Sequence, residues 1–140
     1  MGTIICGVDD SPGGAEALRV ARDLSNDLEV RLVLAHVASG YQAPGGAESL
    51  TTVQARQGAT RLLERLAREY GVNGLADQRV EVGEPADALA RIAAEEAATI
   101  IVVGARQQGR RRRKLVSGLA VDLAGTAPCP VVVVPPTPQR

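Results

Sequence analysis

The 140-residue sequence contains no tryptophan and no phenylalanine, and Tyr41 and Tyr70 are its only aromatic side chains. The stacking platforms used for single-stranded nucleic acid are therefore missing, and the core must be aliphatic. Histidine occurs once, as His36. No second histidine exists for a metal pair or a proton relay, so His36 reads as a residue near the end of a strand. Ser, His and Asp occur individually, but no serine sits in a nucleophile-elbow motif. Cysteine occurs twice, as Cys6 and Cys129, far apart and with no metal or redox spacing. Both lie in or beside apolar runs and read as small buried hydrophobes. No apolar run approaches the ~18 residues needed to span a bilayer. The opening Met1 to Cys6 lacks the basic segment of a secretory signal. The expected location is cytoplasmic, with no membrane partner.

Charge is balanced overall and uneven locally. The chain carries 16 basic and 16 acidic residues. Arg110 to Lys114 supply +5 of this, so the rest sums to −5. Such a run meets phosphates or repels itself in solvent. Zero net charge with few aromatics makes nucleic acid an unlikely partner. Hydrophobic residues make up 45% and charged residues 23% of the chain, which is globular composition and not that of a disordered chain. The length suits a single domain over residues 1–140, large enough to bury a core without staples.

Five short apolar runs predict strands: Thr3–Val8, Glu29–Val37, Gln78–Gly83, Thr99–Gly104 and Pro130–Val134. The fourth and fifth hold unbroken β-branched stretches, as strands covered on both faces do. The second and third partly alternate, as strands nearer an edge would. Helical stripes fill the gaps. They are Ala17, Leu18, Ala21, Leu24 and Leu28; Ala59, Leu62, Leu63, Leu66, Ala67 and Tyr70; Leu89, Ile92, Ala93 and a frayed Glu96; and Val116, Leu119, Ala120, Leu123, Ala124 and Ala127. Pro85 suits a first helical turn, and Gly71 a helix stop. The alternation predicts an α/β fold, an open five-stranded parallel sheet with helices on both faces and right-handed crossovers, Rossmann-like in plan. The connection from Ala38 to Ser49 is long and rich in Gly, Ala and Ser. The proline-rich tail from Pro135 should be extended and exposed.

Ligands of such sheets bind beyond the carboxyl ends of the strands. The first strand runs into Asp9-Asp10-Ser11-Pro12-Gly13-Gly14. Asp10 or Ser11 suits a helix N-cap, which leaves Asp9 to accept bonds from sugar hydroxyls or an adenine amino group. The fourth strand runs into Gly104 to Gly109, the basic run and Ser117-Gly118, a loop ending at a helix N-terminus where anions bind. It is not a Walker A loop: Arg110 and Arg111 stand where lysine and the magnesium-holding Ser/Thr belong.

Taken in order, these segments resemble the universal stress protein family over nearly the whole chain. Ile4-Ile5-Cys6-Gly7-Val8-Asp9-Asp10-Ser11 resembles its first strand, and Ala35-His36-Val37 its second-strand ending. Val82-Gly83-Glu84-Pro85 resembles the opening of its third helix. Ile100 to Gly104 resembles its fourth strand, and Ala127-Pro128-Cys129-Pro130-Val131 its last. The resemblance implies strand order 3-2-1-4-5 and a homodimer through the fifth strand, Val131 to Val134. It also implies a pocket for ATP or a related adenine nucleotide, with Mg2+ present only together with ATP. Gly7, Val8 and Asp9 would face the adenosine. Val37 and Val103 would flank the base. Gly104, Arg106, Gln107, Ser117, Gly118 and Leu119 would meet the phosphates. The family's phosphate signature, Gly-x2-Gly-x9-Gly-Ser/Thr, is degenerate here, with Gln107 at its second glycine and its closing pair reversed as Ser117-Gly118. Weak binding is therefore expected. The leading expectation is a regulatory stress-response dimer and not an enzyme. The alternatives are a protein-interaction module of the same fold without nucleotide, engaging an unidentified protein partner, and a slow ATPase.

Overall fold

The computed structural model describes residues 2–9, 11–38, 48–105 and 118–136. Strands and helices alternate strictly: β1 (Thr3–Gly7), α1 (Pro12–Leu28), β2 (Arg31–Ala38), α2 (Leu50–Glu69), β3 (Asp77–Val82), α3 (Pro85–Glu95), β4 (Ile100–Gly104), α4 (Gly118–Thr126) and β5 (Val131–Val134). All strand pairs are parallel, and the order is β3-β2-β1-β4-β5. This is the expected α/β arrangement and strand order. The chain reverses direction across the sheet between β1 and β4, where their carboxyl ends open a crevice.

Period-two alternation sorts the aliphatic side chains onto the two faces. Ile4, Cys6, Leu32, Leu34 and Val102 pack with Leu18 and Ala21 of α1 and Leu63 and Leu66 of α2. Ile5, Val33, Ala35, Ile101 and Val103 pack with Leu89 and Ile92 of α3 and Leu123 of α4. Cys6 is fully buried, and burial pushes its thiol far above the ordinary range. Cys129 is half-buried, and burial also raises its thiol. Both are free.

Boundaries differ from expectation where backbone chemistry overrides hydropathy. Glu29 belongs to the end of α1: its φ of 54° is left-handed and its N–H returns to Asn26 and Ser25 carbonyls. β2 therefore starts at Arg31. Leu28, at the overhanging end of α1, is 54% exposed. Glu96 is the cap of α3 and not a frayed turn, with its N–H bonded to Ile92 and Ala94 carbonyls. Ala124 faces solvent, and only Ala120 and Leu123 of α4 are buried. Gly71 follows α2 at a φ of 69°, as a helix stop does. Asp10, the connection between Ala38 and Glu48, Val116, the basic run and the tail beyond Pro136 lie outside the described residues.

Candidate functional site

A cleft of about 330 Å³ lies at the carboxyl ends of β1, β2 and β4. Gly7, Val8, Asp9, Val37, Val103, Gly104, Gly118 and Leu119, all named from sequence, line it. Arg106, Gln107 and Ser117 lie outside the described residues. The walls also include Gly14, Ala35, His36, Glu84, Pro85, Leu89 and Asp122. None of these was assigned to the site from sequence. Glu84 and Pro85 had a signal, because the turn after β3 opens at the same end of the sheet as those after β1 and β4. In the sequence, Glu84-Pro85 marks only the start of a helix.

The β1–α1 turn is held by a short hydrogen-bonded loop. Asp9 Oδ1 accepts from the Ser11 backbone N–H at 3.0 Å and from the Ser11 hydroxyl. Ser11, and not Asp10, supplies the described cap: its Oγ accepts from the Gly14 N–H at 3.2 Å. Asp9 thus has a structural duty as well as a place on the cleft wall.

Two glycines make the turn possible. A Cβ on Gly13 would lie 2.6 Å from the Ala105 carbonyl oxygen, and one on Gly104 would run into the Gly13 carbonyl. The start of α1 therefore lies directly on the end of β4, backbone against backbone. Gly104 is demanded by this packing, independently of any phosphate. Gly118 differs, because a Cβ there would meet nothing within 4 Å.

His36 anchors the β2 wall. Its Nδ1 lies 2.6 Å from the Val8 carbonyl oxygen, an atom that can only accept. Nδ1 therefore donates to it. The histidine ties the ends of β1 and β2 together, which is more than a strand-end filler does. At α3, Glu84 caps its own helix by accepting from the Asp87 N–H at 2.9 Å, and Pro85 sits in the first turn.

The cleft thus combines apolar walls from Val8, Val37, Val103, Leu89 and Leu119 with carboxylates at Asp9, Glu84 and Asp122. The amino-terminal ends of α1, α3 and α4 converge on it, through Gly14, Glu84-Pro85 and Gly118. The valine walls suit a flat apolar group, hydroxyl or amino donors can meet the Asp9 carboxylate, and helix N-termini favour an anion.

The family model described as the universal stress protein family matches residues 1–135. A family protein of known structure from Burkholderia pseudomallei is 26% identical, covers 96% of each chain and superposes with a TM-score of 0.72. A universal stress protein solved in complex with cAMP is 22% identical, with 97% of this chain and 98% of that one covered and a TM-score of 0.71. One from Archaeoglobus fulgidus, solved in complex with dAMP, is 21% identical, with 95% and 96% covered and a TM-score of 0.62. No curated protein matches at the level of sequence.

Proposed function

The chain belongs to the universal stress protein family, and from that premise we propose that it is a regulatory stress-response protein whose cleft receives an adenine nucleotide, working as a homodimer and not as an enzyme. The observation that carries this reading is the cleft itself: Val8, Val37 and Val103 line a space of about 330 Å³ beside the Asp9 carboxylate. Valines on the walls suit a purine ring, and a carboxylate suits ribose hydroxyls or the adenine amino group. Relatives of the same fold have been solved with cAMP and dAMP, which supports an adenine ligand here. Among the described residues no group of three or more His, Cys, Asp or Glu is placed to hold a metal ion. A magnesium ion enters this reading only on the phosphates of ATP. Weak affinity is expected, because Gln107 adds bulk where the backbone would approach phosphate and the reversed Ser117-Gly118 pair carries its hydroxyl one residue early.

Two measurements test the reading. Mass spectrometry of the denatured, purified protein detects any co-purifying adenine compound. Calorimetry with adenosine, cAMP, AMP and ATP then gives affinities, and Val37→Asp should weaken every one of them about tenfold, or about 1.4 kcal/mol. Failure of all four compounds to bind at millimolar concentration would favour the interaction module without nucleotide. Repeated turnover of ATP to free phosphate would favour the slow ATPase.

A further inference from the structure

We infer that Asp122 sets the charge selectivity of the cleft, weakening the binding of a ligand with each phosphate charge it adds relative to the uncharged nucleoside; this rests on the adenine reading above. Among the described residues the lining holds three carboxylates and no arginine or lysine. Two of the three have other duties. Asp9 bonds to Ser11, and Glu84 caps α3. The Asp122 carboxylate is different: it makes no hydrogen bond or ion pair with a described residue, and the Thr126 hydroxyl donates to the Asp122 backbone carbonyl at 3.0 Å and not to the side chain. The side chain is exposed at the cleft wall.

Its position gives this charge its consequence. Gly118 and Asp122 are four residues apart on α4, so they lie one above the other on the same helix face. Both line the cleft. The first turn of α4 attracts anions through the helix dipole. One turn further in, Asp122 opposes that attraction with a full negative charge. Hydrogen bonding by neutral donors is untouched by this conflict, whereas a triphosphate feels it strongly. The interaction is Coulombic, acts over several ångströms and is only partly screened at a cleft wall.

The test uses the full chain without divalent metal, at one low ionic strength. Adenosine and ATP are titrated calorimetrically into wild type, Asp122→Asn and Asp122→Lys, with thermal melts confirming that each is folded. ATP should tighten about fivefold in the Asn variant and further in the Lys variant, while adenosine stays within about twofold. Equal ATP affinity across the three would overturn the inference. So would adenosine and ATP shifting together, which would make Asp122 a contact residue and not a charge selector. Adenosine binding in wild type with no graded ATP response defeats this inference alone. Failure of wild type to bind either ligand defeats the adenine reading beneath it.

Discussion

The two flanks of the sheet occupy equivalent places and are built in opposite ways. β3 and β5 are both edge strands. On β3, Asp77, Arg79 and Glu81 alternate onto the face where α3 packs over β1 and β2 instead of over β3. Arg79 reaches Glu81 at 2.7 Å and Glu95 and Glu96 at 3.3 Å. Arg31 reaches Asp77 at 2.6 Å and also pairs with Glu96, and Arg91 reaches Glu81 at 3.2 Å. Strand β5 is four valines between Pro130 and Pro135 and itself carries no charge. It is held to β4 by the parallel ladder and by aliphatic packing, and the glycine seam between β4 and α1 lies on the far side of that ladder. An edge lined with charge resists pairing with another chain, and a bare apolar edge invites it. The contrast teaches that the β3 flank is finished as it stands, whereas the β5 flank is suited to the proposed homodimer.

The strongest way to break this comparison is at the seam. Gly104→Ala places a methyl group against the Gly13 backbone, which has no side chain to rotate away. A loss of about 3 kcal/mol in urea unfolding is expected. A loss below about 1 kcal/mol would show that α1 can lift off β4 at little cost. On the edge itself, Val132→Lys should turn a dimer into a monomer by light scattering at micromolar concentration, with helical circular dichroism retained. An unchanged mass would remove β5 from the interface.

Smaller effects are expected on the charged flank. Arg79→Met leaves Glu81, Glu95 and Glu96 without the guanidinium they share. Because these pairs are partly exposed, the expected cost is about 1 kcal/mol. Added salt should shrink it, and a salt-independent cost would point to packing by the arginine stem. The smallest effect is in the pH profile. The hydrogen bond from Arg31 is the main cause that holds the Glu96 carboxyl below its ordinary value, against a weaker opposing effect of burial. The folded chain therefore binds fewer protons there than the unfolded chain. This contribution is complete above about pH 4.5 and disappears as pH falls through the lowered value. Wild type should lose more stability than Glu96→Gln on acidification through that range. Parallel profiles would mean that Glu96 does not couple folding to pH.

Much of this architecture is legible in the residues. The unbroken Ile100 to Val103 and Val131 to Val134 read as strands because β-branched side chains suit a pleated, buried surface. The helices read from the recurrence of Ala17, Leu18 and Ala21, or Leu63, Leu66 and Ala67. Errors cluster where local backbone geometry decides. Glu29 sits among apolar neighbours, yet its left-handed backbone closes α1. The cleft was legible where a loop follows β1 or β4. It was not legible at Leu89 or Asp122, whose spacing looks like any helix face.

The sequence by itself determined the alternation of strands and helices, the aliphatic core and the family, because periodicity and ordered motifs are local along the chain. Only the tertiary structure decided which further residues share the cleft with those named from sequence. It brought Glu84, Leu89 and Asp122 to the ends of β1 and β2, because in a parallel sheet the carboxyl ends of all strands, and the turns that follow them, lie on one side. It also decided the purpose of Gly104. From sequence that glycine reads as room for a phosphate, whereas in the fold its missing side chain leaves room for the backbone of Gly13. Space around a residue is set by whatever packs against it, and that neighbour lies some 90 positions away.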